Sequence, residues 1–258
     1  MHAFSVRLRR RAWSRAGAVA AVVRSGATRR VLSLSSRVML LFFGTLMIST
    51  SVAITLWNEL GPGPLDVFIG AIRERTGIPL ALAVWGTTAV LIAVAWMLGR
   101  RPGVGTVAAP LLIGPMMQAV VAALDVIDVP SSIVVRIGLH LVAIAGIGVG
   151  AGALIVSGLG AGTGELFAGA ASDRVNRSEA RVRPLIELSW IVIGVALGGP
   201  AGIGTVLVGL FVGPSVANGY RLVDSAAARS KRGLQHTNSA IASRHGAALE
   251  REYELVGR

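Results

Sequence analysis

The sequence predicts an all-α polytopic membrane protein with six transmembrane helices arranged as two inverted three-span repeats. Three observations carry that prediction. The 258 residues are 53% apolar and only 15% charged, with a mean hydropathy of +0.68, beyond the range of an ordinary soluble domain. A segment returns 99 positions later without a gap: Leu60-Gly61-Pro62-Gly63-Pro64-Leu65-Asp66-Val67-Phe68 recurs as Leu159-Gly160-Ala161-Gly162-Thr163-Gly164-Glu165-Leu166-Phe167. Gly103-Val104-Gly105-Thr106 likewise recurs as Gly202-Ile203-Gly204-Thr205, and Gly114-Pro115 as Gly213-Pro214. The third observation is the distribution of positive charge between the apolar runs.

Residues 1–36 read as a basic tail. Through Arg37 there are nine arginines and no acid: Arg7, Arg9, Arg10, Arg11, Arg15, Arg24, Arg29, Arg30 and Arg37. The apolar run Ala16–Val23 is too short, and too poorly followed by small residues, for a cleavable secretory signal. Repeat 1 (37–128) holds three runs of the roughly 20 apolar residues that a span requires: Val38–Trp57, Ile78–Gly99 and Val104–Leu124. Repeat 2 (129–222) holds Ile137–Val156, the shorter Pro184–Gly199, and Gly202–Tyr220. After the first run of each repeat comes a segment too short to cross, Pro64–Arg75 and Thr163–Arg174. Each predicts a short interfacial or re-entrant helix, with Asp66 or Glu165 in the first turn, where an acid favours the positive helix end. Residues 223–258 form a second charged tail.

Three crossings per unit is an odd number, so two units of the same fold must oppose each other across the bilayer. The loops agree. With the N-terminus inside, Arg100-Arg101 and the stretch with Arg174, Arg177, Arg181 and Arg183 are cytoplasmic. Asp125–Ser132 has no basic residue and Gly199–Ile203 no charge, as external loops require. The remaining external loop is the exception, with Arg73 and Arg75 among Glu59, Asp66 and Glu74. Both termini are expected in the cytoplasm, and the basic tails against anionic lipid.

Several polar residues in the apolar body are candidates for binding a substrate. Thr106 and Thr205 open Gly-rich helices whose backbone N–H groups can hold an anionic group, or they cap a tight turn. Pro115 and Pro214 break helices near mid-membrane, which either frees a carbonyl toward a cavity or merely shapes the packing. Asp66 and Glu165 complete the candidate site. Glu187 reads as a protonation or ion-coupling site or as the partner of Arg183 one turn earlier. His140 is a second candidate proton relay, with a packing role as the alternative.

Other chemistries are absent from the sequence. It has no Cys, no His-Glu-x-x-His, no P-loop lysine and no nucleophile elbow. No enzymatic activity, cofactor, metal site or nucleic-acid partner is expected.

The two copies Leu60–Phe68 and Leu159–Phe167, the run Arg183-Pro184-Leu185-Ile186-Glu187, and Leu197-Gly198-Gly199 leading into Gly202-Ile203-Gly204-Thr205 resemble the YczE/YitT-like bacterial membrane proteins over roughly residues 37–222. Pro64-Leu65-Asp66 fits the Pro-x-Asp of that family, whereas Thr163-Gly164-Glu165 departs from it. The resemblance implies a polytopic protein of the bacterial inner (plasma) membrane and no particular reaction. The expected function is secondary transport or export of a small solute. The competing expectation is a non-transporting scaffold or regulator that acts on a protein partner through its tails, Arg7–Arg15 and Arg229–Arg251.

Overall fold

In the computed structural model, residues 32–160 and 162–256 are described, with side chains through residue 229 apart from Ala180. The basic segment before residue 32 and the side chains after 229 lie outside the described residues, and with them most of both predicted tails. Eight helices account for the described chain, with no strand among them: α1 (Leu34–Trp57), α2 (Pro64–Thr76), α3 (Leu80–Met97), α4 (Val104–Leu124), α5 (Ile133–Ser157), α6 (Thr163–Arg174), α7 (Glu179–Ala196) and α8 (Ile203–Val256). The expected boundary at 222/223 falls inside α8, which continues as one helix.

Local chemistry sets the helix ends. Ser33 caps α1 by accepting from the Ser36 amide at 3.2 Å. Pro64 occupies the first turn of α2, where its missing N–H costs nothing, and Gly77 ends that helix in the left-handed region at φ 68°. Gly158 ends α5 in the same way at φ 64°.

Five helices are long and apolar enough to cross a membrane: α1, α3, α4, α5 and α8 over Ile203–Arg229. The sixth expected span, α7, falls outside that group because Glu179, Arg181, Arg183 and Glu187 occupy its first half. Large apolar side chains point outward all along these helices, including Met39 on α1, Trp96 on α3, Leu111 on α4, Val142 on α5 and Leu210 on α8. An apolar exterior of that extent is unfavourable in water and matches a lipid environment. The chain is a helical membrane protein.

Contacts between helices follow the 99-residue step. The step carries α1 onto α5, α2 onto α6, α3 onto α7 and α4 onto α8. Packing of α1 on α4 has its counterpart in α5 on α8, that of α2 on α7 in α3 on α6, and that of α2 on α8 in α4 on α6. The helices α1 and α5 pack on each other. Only the α3–α4 contact lacks a counterpart of similar extent. At the α5–α8 contact, Gly152 lies directly against the Gly219 backbone, an approach that larger side chains would prevent.

Two backbone crossings tie the halves together. The Gly105 amide donates to the Leu159 carbonyl at 2.9 Å, and the Gly204 amide donates to the Leu60 carbonyl at 2.6 Å. These are the same contact 99 positions apart. Within each crossing a buried threonine accepts from the glycine three residues before it: Gly103 N to Thr106 Oγ1 and Gly202 N to Thr205 Oγ1, both at 3.3 Å.

Candidate functional site

The short helices α2 and α6 bring their first turns to the middle of the molecule. There two adjoining cavities, of about 250 and 240 Å³, share the walls formed by Asp66, Arg183, Val52, Ile147 and Val212. Most of the lining is apolar. Both halves contribute, and they contribute equivalent positions: Asp66 and Glu165, Thr88 and Glu187, Val84 and Arg183, Ile48 and Ile147, Ile113 and Val212. The cavity therefore sits where the two units meet, and its polarity is unequal. Repeat 1 supplies one carboxyl and the Thr88 hydroxyl, whereas repeat 2 supplies two carboxyls, a guanidinium and the Thr163 hydroxyl.

Arg183 organises the repeat 2 side. Its Nη2 lies 3.3 Å from Glu165 Oε1, and its Nε lies 3.0 Å from Glu187 Oε1. Glu187 lies one turn beyond Arg183 on α7, the spacing that lets side chains meet on a helix. Glu165 reaches the same guanidinium from the first turn of α6. A branched donor can hold two carboxylates at once, which an ammonium does less well.

Asp66 faces a different situation. It stands in the first turn of α2, which does not cross the bilayer, and among the described residues it has no ion-pair partner. Its side chain is half-buried and lines both cavities. Protein atoms enclose it, and burial pushes its carboxyl up from the ordinary 3.8 to about 7. Below that value the group carries a proton. Thr88, across the cavity, donates its own hydroxyl proton to the Val84 carbonyl at 2.7 Å, so its oxygen lone pairs remain.

An aromatic group closes the second cavity. Trp190 of α7 packs between Phe68 and Phe167, with ring centroids 5.2 and 6.2 Å away. Those two phenylalanines are themselves equivalent positions of the repeats, so one tryptophan spans the join.

Of the residues expected from sequence, Asp66, Glu165 and Glu187 come together here. The others lie elsewhere. Thr106 and Thr205 are buried in the two crossings, where their hydroxyls accept from glycine amides as helix caps do. Pro115 and Pro214 are exposed on the outer surface and do not line the cavity; the proline that lines it is Pro110. His140 is fully buried on α5, against the backbone of Gly204. Its neighbour Arg136 instead latches the end of α1, donating to the Asn58 carbonyl at 2.6 Å.

Thr88, Trp190 and the central position of Arg183 were not among the expected site residues. For Thr88 the signal was present, because the 99-residue step carries it onto Glu187.

Residues 36–219 match the model of a family of unknown function, DUF6198. The chain belongs to this family. Among curated proteins and solved structures, none matches the chain. The DUF6198 segment includes every cavity-lining residue, from Ile48 to Val216. It leaves out the two charged ends.

Proposed function

We propose that this protein is a secondary transporter or exporter of a small solute, with the central cavity as its binding site. The observation that carries the reading is the cavity itself: a largely apolar space between two repeated units, lined by equivalent positions of both and holding ionisable side chains. Charge inside an apolar body is costly, and where it occurs in membrane proteins it marks solute or ion pathways. Repeat-built transporters place their sites at such a join.

The reading includes six spans in inverted units, with α7 as the sixth. Support for α7 comes from its outward apolar face of Leu185, Leu188, Val192 and Ile193, while Arg183 and Glu187 line the cavity. Support for inversion comes from the odd number of spans per unit, the loop charges and the exchange of contacts between halves. The same reading places the protein in the bacterial plasma membrane with both termini cytoplasmic and anionic lipid against the basic ends. It also keeps the YczE/YitT-like resemblance, and it assigns the protein no catalytic activity.

Two experiments test this. The natural chain contains no cysteine, so single replacements report topology on a clean background. Ser131→Cys is expected to react with an impermeant maleimide from outside intact cells, and Ser178→Cys only in inverted vesicles. Labelling of both from one side would refute inversion. Proteoliposomes holding the full chain are expected to take up at least one member of a small-solute panel, with the flux lost in Asp66→Asn. Folded protein that neither moves nor binds any of the panel would sink the transport reading.

A further inference from the structure

The ionisable wall of the cavity is unbalanced. It presents three carboxyls, Asp66, Glu165 and Glu187, against the single guanidinium of Arg183. Two of the carboxyls are already committed to Arg183 at 3.0 and 3.3 Å. The third, Asp66, is enclosed by the cavity and has no cation beside it. The rest of the surface is mostly aliphatic, with the hydroxyls of Thr88 and Thr163 in the first cavity and Trp190 and Phe167 in the second. An anionic solute would meet uncompensated carboxylates here, and a neutral one would leave Asp66 without a counter-charge. A compact inorganic cation would lose its hydration against mostly aliphatic walls. A positively charged solute with an apolar body satisfies both features, since the body replaces cavity space, the charge meets a carboxylate, and an aromatic face adds cation–π attraction.

We propose that the cavity binds a lipophilic organic cation, with Asp66 as its counter-ion, and that the cation takes the place of the proton held by the Asp66 carboxyl.

The balance is simple. The neutral carboxylic acid releases one proton to water, the carboxylate left behind pairs with the cation, and the net charge of the site is unchanged. The other charged groups facing Asp66 are Arg183 and Glu187 from α7 and Glu165 from α6. From α3 and α8 only Thr88, Val84, Leu91, Val208, Val212 and Val216 line the cavity, none of them ionisable. Because the Arg183 cluster is internally paired, Asp66 is the group whose charge changes on binding. The inference concerns the same site as the transport reading and rests on it only for movement across the membrane, not for binding.

The test uses the full chain in detergent or nanodiscs, with benzyltrimethylammonium as the cation and phenylmethanesulfonate as an anion of similar shape. Titration calorimetry in buffers of different ionisation heat is expected to show cation binding with release of about half a proton at pH 7, rising toward one at pH 6. Competition between proton and cation should weaken the apparent affinity about tenfold between pH 8 and pH 6. Asp66→Asn should remove both the proton release and the pH dependence while the protein still elutes as a folded species. Asp66→Glu should retain both.

Failure to bind the cation, binding without proton release, or unchanged behaviour in Asp66→Asn would overturn the inference. Preferential binding of the sulfonate would overturn the cation class and leave the transport reading intact. Proton-releasing cation binding without uptake driven by a pH gradient in proteoliposomes would support the inference and overturn the transport reading.

Discussion

Arg183→Gln is expected to destabilise the protein by about 1–3 kcal/mol and to make its stability strongly pH-dependent. The guanidinium holds Glu165 and Glu187 at 3.3 and 3.0 Å, and no other cation stands beside either carboxylate among the described residues. Removing one member of a fully buried pair costs about 3–5 kcal/mol. Here the three side chains keep between 25 and 34% exposure, so screening reduces the cost. Two like charges then share one wall with no cation between them. The variant is therefore expected to be more stable at pH 5 than at pH 8, because the two carboxylates repel each other only while both are ionised.

Thermal unfolding of the purified chain at several pH values measures this. The double variant Arg183→Gln/Glu187→Gln is expected to be less damaged than the two single effects added together, since one of the stranded charges is gone. Strict additivity, or a loss independent of pH, would show that Arg183 acts by packing and not by neutralising the pair.

How far the sequence revealed this arrangement depends on which property encodes it. Helix number and order were legible because membrane spans are written in length and hydropathy, and the 99-residue step aligned the two units before any coordinate was known. The status of α7 was not, since four charges lower its hydropathy, of which Arg183 and Glu187 serve the cavity wall. Hydropathy counts composition, and it does not record which way a charge faces.

The site was half legible for the same reason. Asp66, Glu165 and Glu187 stood out as acids in an apolar chain. Their common destination depends on α2 and α6 crossing over to pack on the opposite unit, and no local pattern encodes such a crossing. The glycine–threonine motifs mark special backbone, but residue type alone leaves capping and ligand binding equally open. Pro115 and Pro214 turned outward because helical phase, not residue identity, decides which face a kink presents.

Gly61→Ala is the second substitution from which a large effect is expected, a loss of about 2–5 kcal/mol. Gly61 adopts φ 99°, a left-handed conformation that costs other residues about 1–2 kcal/mol. Its missing Cβ is also where the opposite unit passes: a Cβ there would lie 2.5 Å from the Gly202 nitrogen and 2.6 Å from Thr205 Oγ1. Overpacking a closed contact adds about 1–3 kcal/mol, and here it also displaces the hydroxyl that accepts from the Gly202 amide.

Gly160→Ala probes the matching crossing, where a Cβ would meet Thr106 Oγ1 at 2.6 Å but where no positive φ is involved. Its expected cost is correspondingly smaller, about 1–3 kcal/mol. Gly86→Ala is the control, for it lies within α3 with no atom within 4 Å of the added methyl, and alanine there is expected to be neutral or stabilising by up to about 1 kcal/mol. Thermal unfolding of the three variants in one detergent ranks them. The expected order is Gly61→Ala lowest, then Gly160→Ala, then Gly86→Ala at or above the unsubstituted chain. If Gly61→Ala instead unfolds at the temperature of Gly86→Ala, the Leu60–Gly204 crossing is not closed in the folded protein, and the pairing of the two units at that point is wrong.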